Sequence, residues 1–142
     1  LETLMIRMEK QQNNAIEVAN YLSTHPKVKE LFYLGNLNKD SKTYEIYQKQ
    51  YNSPGAMISF EVHGGEKEAF TFLNNLKVIK LAVSLGSTES LAQHPASMTH
   101  IGLAPEDKEK FGITSNLIRL SVGVENAQDL IEEIGLALDA IQ

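Results

Sequence analysis

The six residues Leu117-Ile118-Arg119-Leu120-Ser121-Val122 set the strictest condition on the fold. They are apolar enough to be a strand, yet carry a guanidinium at the centre. Strand alternation puts Leu117, Arg119 and Ser121 on one face and Ile118, Leu120 and Val122 on the other. A second segment, Ala56 to Val62, alternates the same way, with Ile58, Phe60 and Val62 on one face. Two such strands imply a sheet with one dry face, which amphipathic helices must cover. The Arg119 guanidinium needs a partner, because burying it unpaired is costly. Arginine is the side chain best shaped to grip a carboxylate through two parallel hydrogen bonds. An ion pair with a nearby Asp or Glu satisfies it equally, and position alone does not choose.

The remaining elements follow from periodicity. Leu1, Leu4, Met5, Met8, Ala15, Val18, Ala19 and Leu22 predict a long first helix ending at His25-Pro26. About 24 helical residues span some 36 Å, long for a small domain, so the first turns are expected to lean on something else. Val28 to Leu34 reads as a strand, and Thr43 to Tyr51 as a short helix with Tyr44, Ile46, Tyr47 and Tyr51 in contact. Glu66 to Leu76 reads as a helix and Val78 to Val83 as a continuous strand. Ser84 to Leu103 is irregular, and a loop that long in a compact domain is usually functional. Pro105 to Phe111 and a final helix capped by Asn126 complete the order. The pattern predicts a single α/β domain, an α+β sandwich with helices on one sheet face.

Composition excludes several functions. The net charge of −5 and the absence of a basic stripe argue against nucleic-acid binding. The chain has no cysteine, hence no disulfide scaffold, thiolate zinc site or cysteine nucleophile. No apolar run approaches the ~20 residues of a membrane span. His25, His63, His94 and His100 read as hydrogen-bonded structural histidines, because the six-residue spacing of His94 and His100 suits a metal poorly. The hydroxyl-rich Ser84-Leu85-Gly86-Ser87-Thr88-Glu89-Ser90 could hold an anion on backbone N–H groups, or be an ordinary polar turn.

An ordered series of motifs is more specific. Leu81-Ala82-Val83-Ser84-Leu85-Gly86, Glu89-Ser90-Leu91, His94-Pro95-Ala96-Ser97-Met98-Thr99-His100, Gly112-Ile113 and Ile118-Arg119-Leu120-Ser121-Val122-Gly123-Val124-Glu125 stand in sequence. Together they closely resemble the C-terminal domain of the pyridoxal-phosphate enzymes of cysteine and methionine metabolism. These include cystathionine γ-synthase, the cystathionine lyases, methionine γ-lyase and O-acetylhomoserine sulfhydrylase. The resemblance implies the small domain of a fold-type I enzyme, with a mostly antiparallel sheet and helices on one face. It implies that Arg119 binds the substrate α-carboxylate, that Ser84 and the backbone of Leu85 lie beside it, and that Thr99 lines the same pocket.

The family's Schiff-base lysine follows a Ser-x-x-Lys motif, which Ser41-Lys42 does not match. Residues 1–142 are therefore expected to be one domain, the part that follows the lysine. No catalytic, cofactor-binding or metal-binding residue is assigned to it, and pyridoxal 5'-phosphate is expected on a large domain outside this chain. Val83 stands where several cystathionine-processing members carry glutamate and where methionine γ-lyases and sulfhydrylases often carry valine, so the resemblance favours a methionine γ-lyase-like elimination. Cystathionine γ-synthase, cystathionine γ-lyase or sulfhydrylase activity is the alternative within the family. Outside it stand a free carboxylate-binding module and a purely structural domain. The resemblance further implies a sulfur amino-acid substrate, a cytoplasmic location and a homotetrameric parent, with neither nucleic acid nor membrane as partner.

Overall fold

A computed structural model describes residues 1–142. The elements are α1 (Leu4–Thr24), β1 (Val28–Phe32), α2 (Lys42–Gln50), β2 (Met57–Val62) and α3 (Glu66–Asn74). They continue with β3 (Lys80–Leu81), β4 (Leu91–Gln93), α4 (Pro105–Lys110), β5 (Leu117–Ser121) and α5 (Ala127–Asp139). The sheet order is β1-β2-β5-β4-β3. Every pairing is antiparallel except β3 with β4. No helix is long and apolar enough to cross a membrane.

The alternation seen in the sequence decides the layering. Ile58, Phe60, Val62, Ile118, Leu120 and Ala92 all face one side and are buried. Val18, Ala19 and Leu22 of α1, Phe72 of α3, and Leu130, Ile134 and Leu138 of α5 cover them. Phe60 and Phe72 meet edge to face with centroids 5.5 Å apart, the orientation favoured by ring quadrupoles. Capping sets the ends of two helices: Asn126 accepts from the Gln128 N–H and Ser41 from the Tyr44 N–H.

Three expectations need correction. The strand expected over Val78 to Val83 shrinks to Lys80–Leu81. The Glu133 carboxylate of α5 accepts the backbone N–H groups of Lys77, Val78 and Ile79, so these cannot enter a ladder. The loop expected over Ser84 to Leu103 contains a strand, Leu91–Gln93, which is fully buried and pairs on both edges. Three residues are too few to show a period. The third concerns α2: the ring of Tyr47 does meet those of Tyr44 and Tyr51, with centroids 6.0 Å away in each case, but Ile46 is exposed and no residue of the helix is buried.

The first turns of α1 project beyond the core. Met5 is 80% and Ile6 70% exposed, and the buried stripe begins only at Gln11. Within the core, Phe60→Ala leaves a ring-sized void between β2 and α3. Denaturant unfolding is expected to show a loss of about 3–5 kcal/mol.

Candidate functional site

The other sheet face carries the polar residues. Register places Ser59, Arg119 and Gln93 in one row across β2, β5 and β4. The next row is Met57, Ser121 and Leu91, and Glu61 stands opposite Leu117. The guanidinium of Arg119 is half-buried, and burial pulls its pKa below the ordinary value, with no charged neighbour contributing. No carboxylate lies within 4.0 Å of it; the ion pairs of the chain are His25–Asp139 and Lys29–Glu61. The ion pair left open by the sequence is not made.

Glu61 is the acid on that face, and it is already engaged. Its Oε2 accepts from Lys29 Nζ at 2.7 Å and its Oε1 from the Thr114 hydroxyl at 2.7 Å. Burial alone would push its carboxyl up. Hydrogen bonds from Lys29 and Thr114, with the lysine charge, outweigh that and hold it below the ordinary 4.5. Arg119 is thus left as a cation without a counter-charge in this chain.

The Ser84–Ser90 loop is fastened beside Arg119. The Gly86 N–H donates to Ser121 Oγ at 2.9 Å, two residues along β5 from the arginine. Gly86 takes φ +74°, which glycine adopts without strain. Val83, Ser84 and Leu85 precede it and are exposed, Val83 at 55% and Leu85 at 56%. The far end of the loop is held from below. Glu125 accepts the Ser90 N–H at 2.6 Å and the Ser90 hydroxyl at 2.9 Å, and Ser90 Oγ accepts the Gly123 N–H at 2.8 Å. From α1, Asn14 donates to the Gly123 and Glu125 carbonyls, and Gln11 to the Ser87 carbonyl. The close approach at Gly123 leaves no room for a Cβ, which would lie 2.5 Å from the Thr88 oxygen and 2.6 Å from the Glu89 carbonyl carbon.

Thr99 reaches the site indirectly. Its hydroxyl accepts from Gln93 Nε2 at 3.4 Å and lies 2.8 Å from His100 Nδ1. His94 is fully buried, with Nδ1 2.7 Å from Ser97 Oγ and Nε2 2.8 Å from the Ser115 carbonyl. A carbonyl only accepts, so Nε2 carries the proton. Arg119, the Ser84–Gly86 turn and Thr99 are therefore brought to one end of one face. The sequence reading assigned no role to Gln93, Glu125, Asn14 or Gln11; Glu125 closes the motif that begins at Ile118, Gln93 falls in the gap between Glu89-Ser90-Leu91 and His94, and Gln11 and Asn14 lie in no quoted motif. Arg119 lines none of the five main clefts. The face is open to solvent beside Arg119.

A family model described as Cys/Met metabolism PLP-dependent enzyme matches residues 1–139. The L-methionine gamma-lyase of Fusobacterium nucleatum subsp. nucleatum is 49% identical over 141 residues, 99% of this chain and 35% of that protein. The cystathionine gamma-lyase of Bacillus subtilis is 44% identical, over 99% of this chain and 36% of that protein. The crystal structure of cystathionine gamma synthase from Xanthomonas oryzae pv. oryzae, in complex with aminoacrylate and cysteine, superposes with a TM-score of 0.92 at 37% identity. It covers 99% of this chain and 36% of that one, so the chain spans about a third of the length of these relatives.

Two outcomes follow from the geometry. Gly123→Ala forces backbone apart under the Ser84–Ser90 loop and is expected to cost about 1–3 kcal/mol. Denaturation measures the cost, and increased amide exchange at Gly86 marks the loop as what moved. For Glu61, a depressed carboxyl pKa adds stability that is complete above 4.5 and is lost as pH falls through the folded-state value. The advantage of wild type over Glu61→Gln in urea should therefore be constant from pH 7 to about pH 5 and shrink below it. A flat difference down to pH 3 would contradict the assignment.

Proposed function

The chain belongs to the Cys/Met metabolism PLP-dependent enzyme family, and from that premise we propose that it supplies the substrate α-carboxylate site of a lyase acting on a sulfur amino acid. The observation that carries the reading is the unpaired Arg119 guanidinium, presented beside the Ser84–Gly86 turn. A half-buried cation with no internal counter-charge is an electrostatic vacancy for an anion. The planar fork can take both oxygens of a carboxylate, which fixes the orientation of the adjoining α-carbon as well as its position. The Ser84 hydroxyl and Leu85 N–H are the further donors in this reading.

The chain's own residues do not fit the family's cofactor. All eleven lysines are exposed or half-buried. Lys80, level with Ser121 in the register, is exposed, and its Nζ donates to the Lys77 carbonyl. No buried lysine faces Arg119. In this reading residues 1–142 are the C-terminal domain of a longer polypeptide whose large domain holds pyridoxal 5'-phosphate. The exposed Val83 presents an apolar surface next to Ser84, which suits an uncharged thioether and supports methionine γ-lyase-like elimination. Cystathionine γ-lyase chemistry is the second reading, favoured by the Bacillus subtilis relative. A cytoplasmic homotetramer completes the proposal and rests on the resemblance alone.

In the full-length enzyme, Arg119→Lys keeps the charge and loses the fork. A charge-assisted hydrogen bond is worth about 1.5–3 kcal/mol, so kcat/KM for L-methionine should fall roughly 10- to 100-fold while cofactor content stays unchanged. Ser84→Ala should lose less, because the Leu85 N–H remains. Steady-state kinetics with cofactor absorbance measure both, and a wild-type kcat/KM in Arg119→Lys would return Arg119 to a structural role.

A further inference from the structure

We propose that Gln93 is the positioning residue of this site: its buried, unpartnered side-chain oxygen is placed to take one Arg119 N–H when the substrate carboxylate binds, turning the guanidinium fork toward it. The inference rests on the carboxylate reading of Arg119 and deepens it. Gln93 stands directly opposite Arg119 in the β4–β5 register. Opposed residues of an antiparallel pair share a face, with Cβ atoms about 4.5–5.5 Å apart. Gln93 is 1% exposed, and its Oε1 is buried with no hydrogen-bond partner. A buried acceptor without a donor is rare and costly. Across the strand stands a guanidinium with five N–H groups and no carboxylate within 4.0 Å.

The orientation of the amide is set from its other end. Gln93 Nε2 donates to Thr99 Oγ1, so the Thr99 hydroxyl proton is free to point at His100 Nδ1. That chain faces the Gln93 amide nitrogen toward Thr99 and leaves the oxygen as the end available to Arg119. It also gives Thr99 a task from an exposed position, holding the residue that holds the arginine.

The choice of an amide has a chemical reason. A two-point carboxylate contact uses two of the five guanidinium N–H groups, so one can be spent on orientation. An uncharged oxygen orients the fork without neutralising it. A carboxylate at position 93 would orient it equally well but would compete with the substrate for the same charge. Ser59, opposite Arg119 on the β2 side, is too short to serve this purpose.

The test uses the full-length holoenzyme with L-methionine as substrate and its decarboxylated amine, 3-(methylsulfanyl)propylamine, as competitive inhibitor. Gln93→Leu keeps the volume and removes the acceptor. KM for L-methionine is expected to rise about tenfold, with kcat within about twofold and the inhibition constant of the amine unchanged. Gln93→Glu should raise KM further, because its charge pairs with Arg119, again with no effect on the amine. A merely structural role would weaken amino acid and amine together, and that result would overturn the proposal. So would unchanged KM in both variants, or failure of both to yield soluble holoenzyme. Arg119→Lys, assayed alongside, separates the two levels. If it too treats amino acid and amine alike, the carboxylate reading fails. If it discriminates between them and Gln93→Leu does not, the role of Gln93 alone is wrong.

Discussion

The ladder between β2 and β5 carries both halves of the molecule. Its five register pairs run from Met57–Ser121 to Glu61–Leu117. On one side the pairs Ile58–Leu120 and Phe60–Ile118 are the floor of the core. On the other, Ser59–Arg119 is the floor of the candidate site. A slip of β5 by one residue would exchange its two faces, burying the guanidinium under α1 and α5 and exposing Ile118 and Leu120. The hydrophobic energy that fixes the register is therefore also what aims the cation.

Charge is partitioned on that face in a way that keeps Arg119 available. Glu61 is on the same face, and an arginine–glutamate pair there would neutralise the cation. Lys29 reaches in from β1 and Thr114 from the segment before β5, and together they occupy both Glu61 oxygens. Two acids elsewhere are likewise engaged. Glu125 holds Ser90, and Glu133 holds three backbone N–H groups. A chain with an acidic excess thus presents an uncompensated cation by giving its nearby acids other tasks.

Much of this was legible in the sequence where periods are long. α1, β2, β5 and α5 lie close to where alternation and capping place them, and the sidedness of Arg119 follows from its strand alone. What was hidden depends on contacts between distant segments. β4 has three residues and is a strand only because β5 and β3 stand on either side. β3 is cut short by an acid about fifty positions later in the chain. That Arg119 lacks a carboxylate partner is a statement about where Lys29 and Thr114 lie, which no local pattern records. The motif around Ser84 and Thr99 could be recognised by resemblance, but the placement of Gln93, bonded to Thr99 and opposite Arg119, needed the register.

The overhang of α1 makes it a lever. From the amides of Gln11 and Asn14, which grip the Ser87, Gly123 and Glu125 carbonyls, the helix runs on toward Leu4 with its apolar side chains in the open. At 1.5 Å per residue that arm is about 10–15 Å long, and an α-helix is stiff over such a length. A tilt of about 5° at the grip would move the tip by roughly 1 Å, and by the same geometry a push at the tip becomes a torque on the loop carrying Ser84. The arm length and the two amides thus fix a gearing between whatever touches Met5 and Ile6 and the mouth of the site.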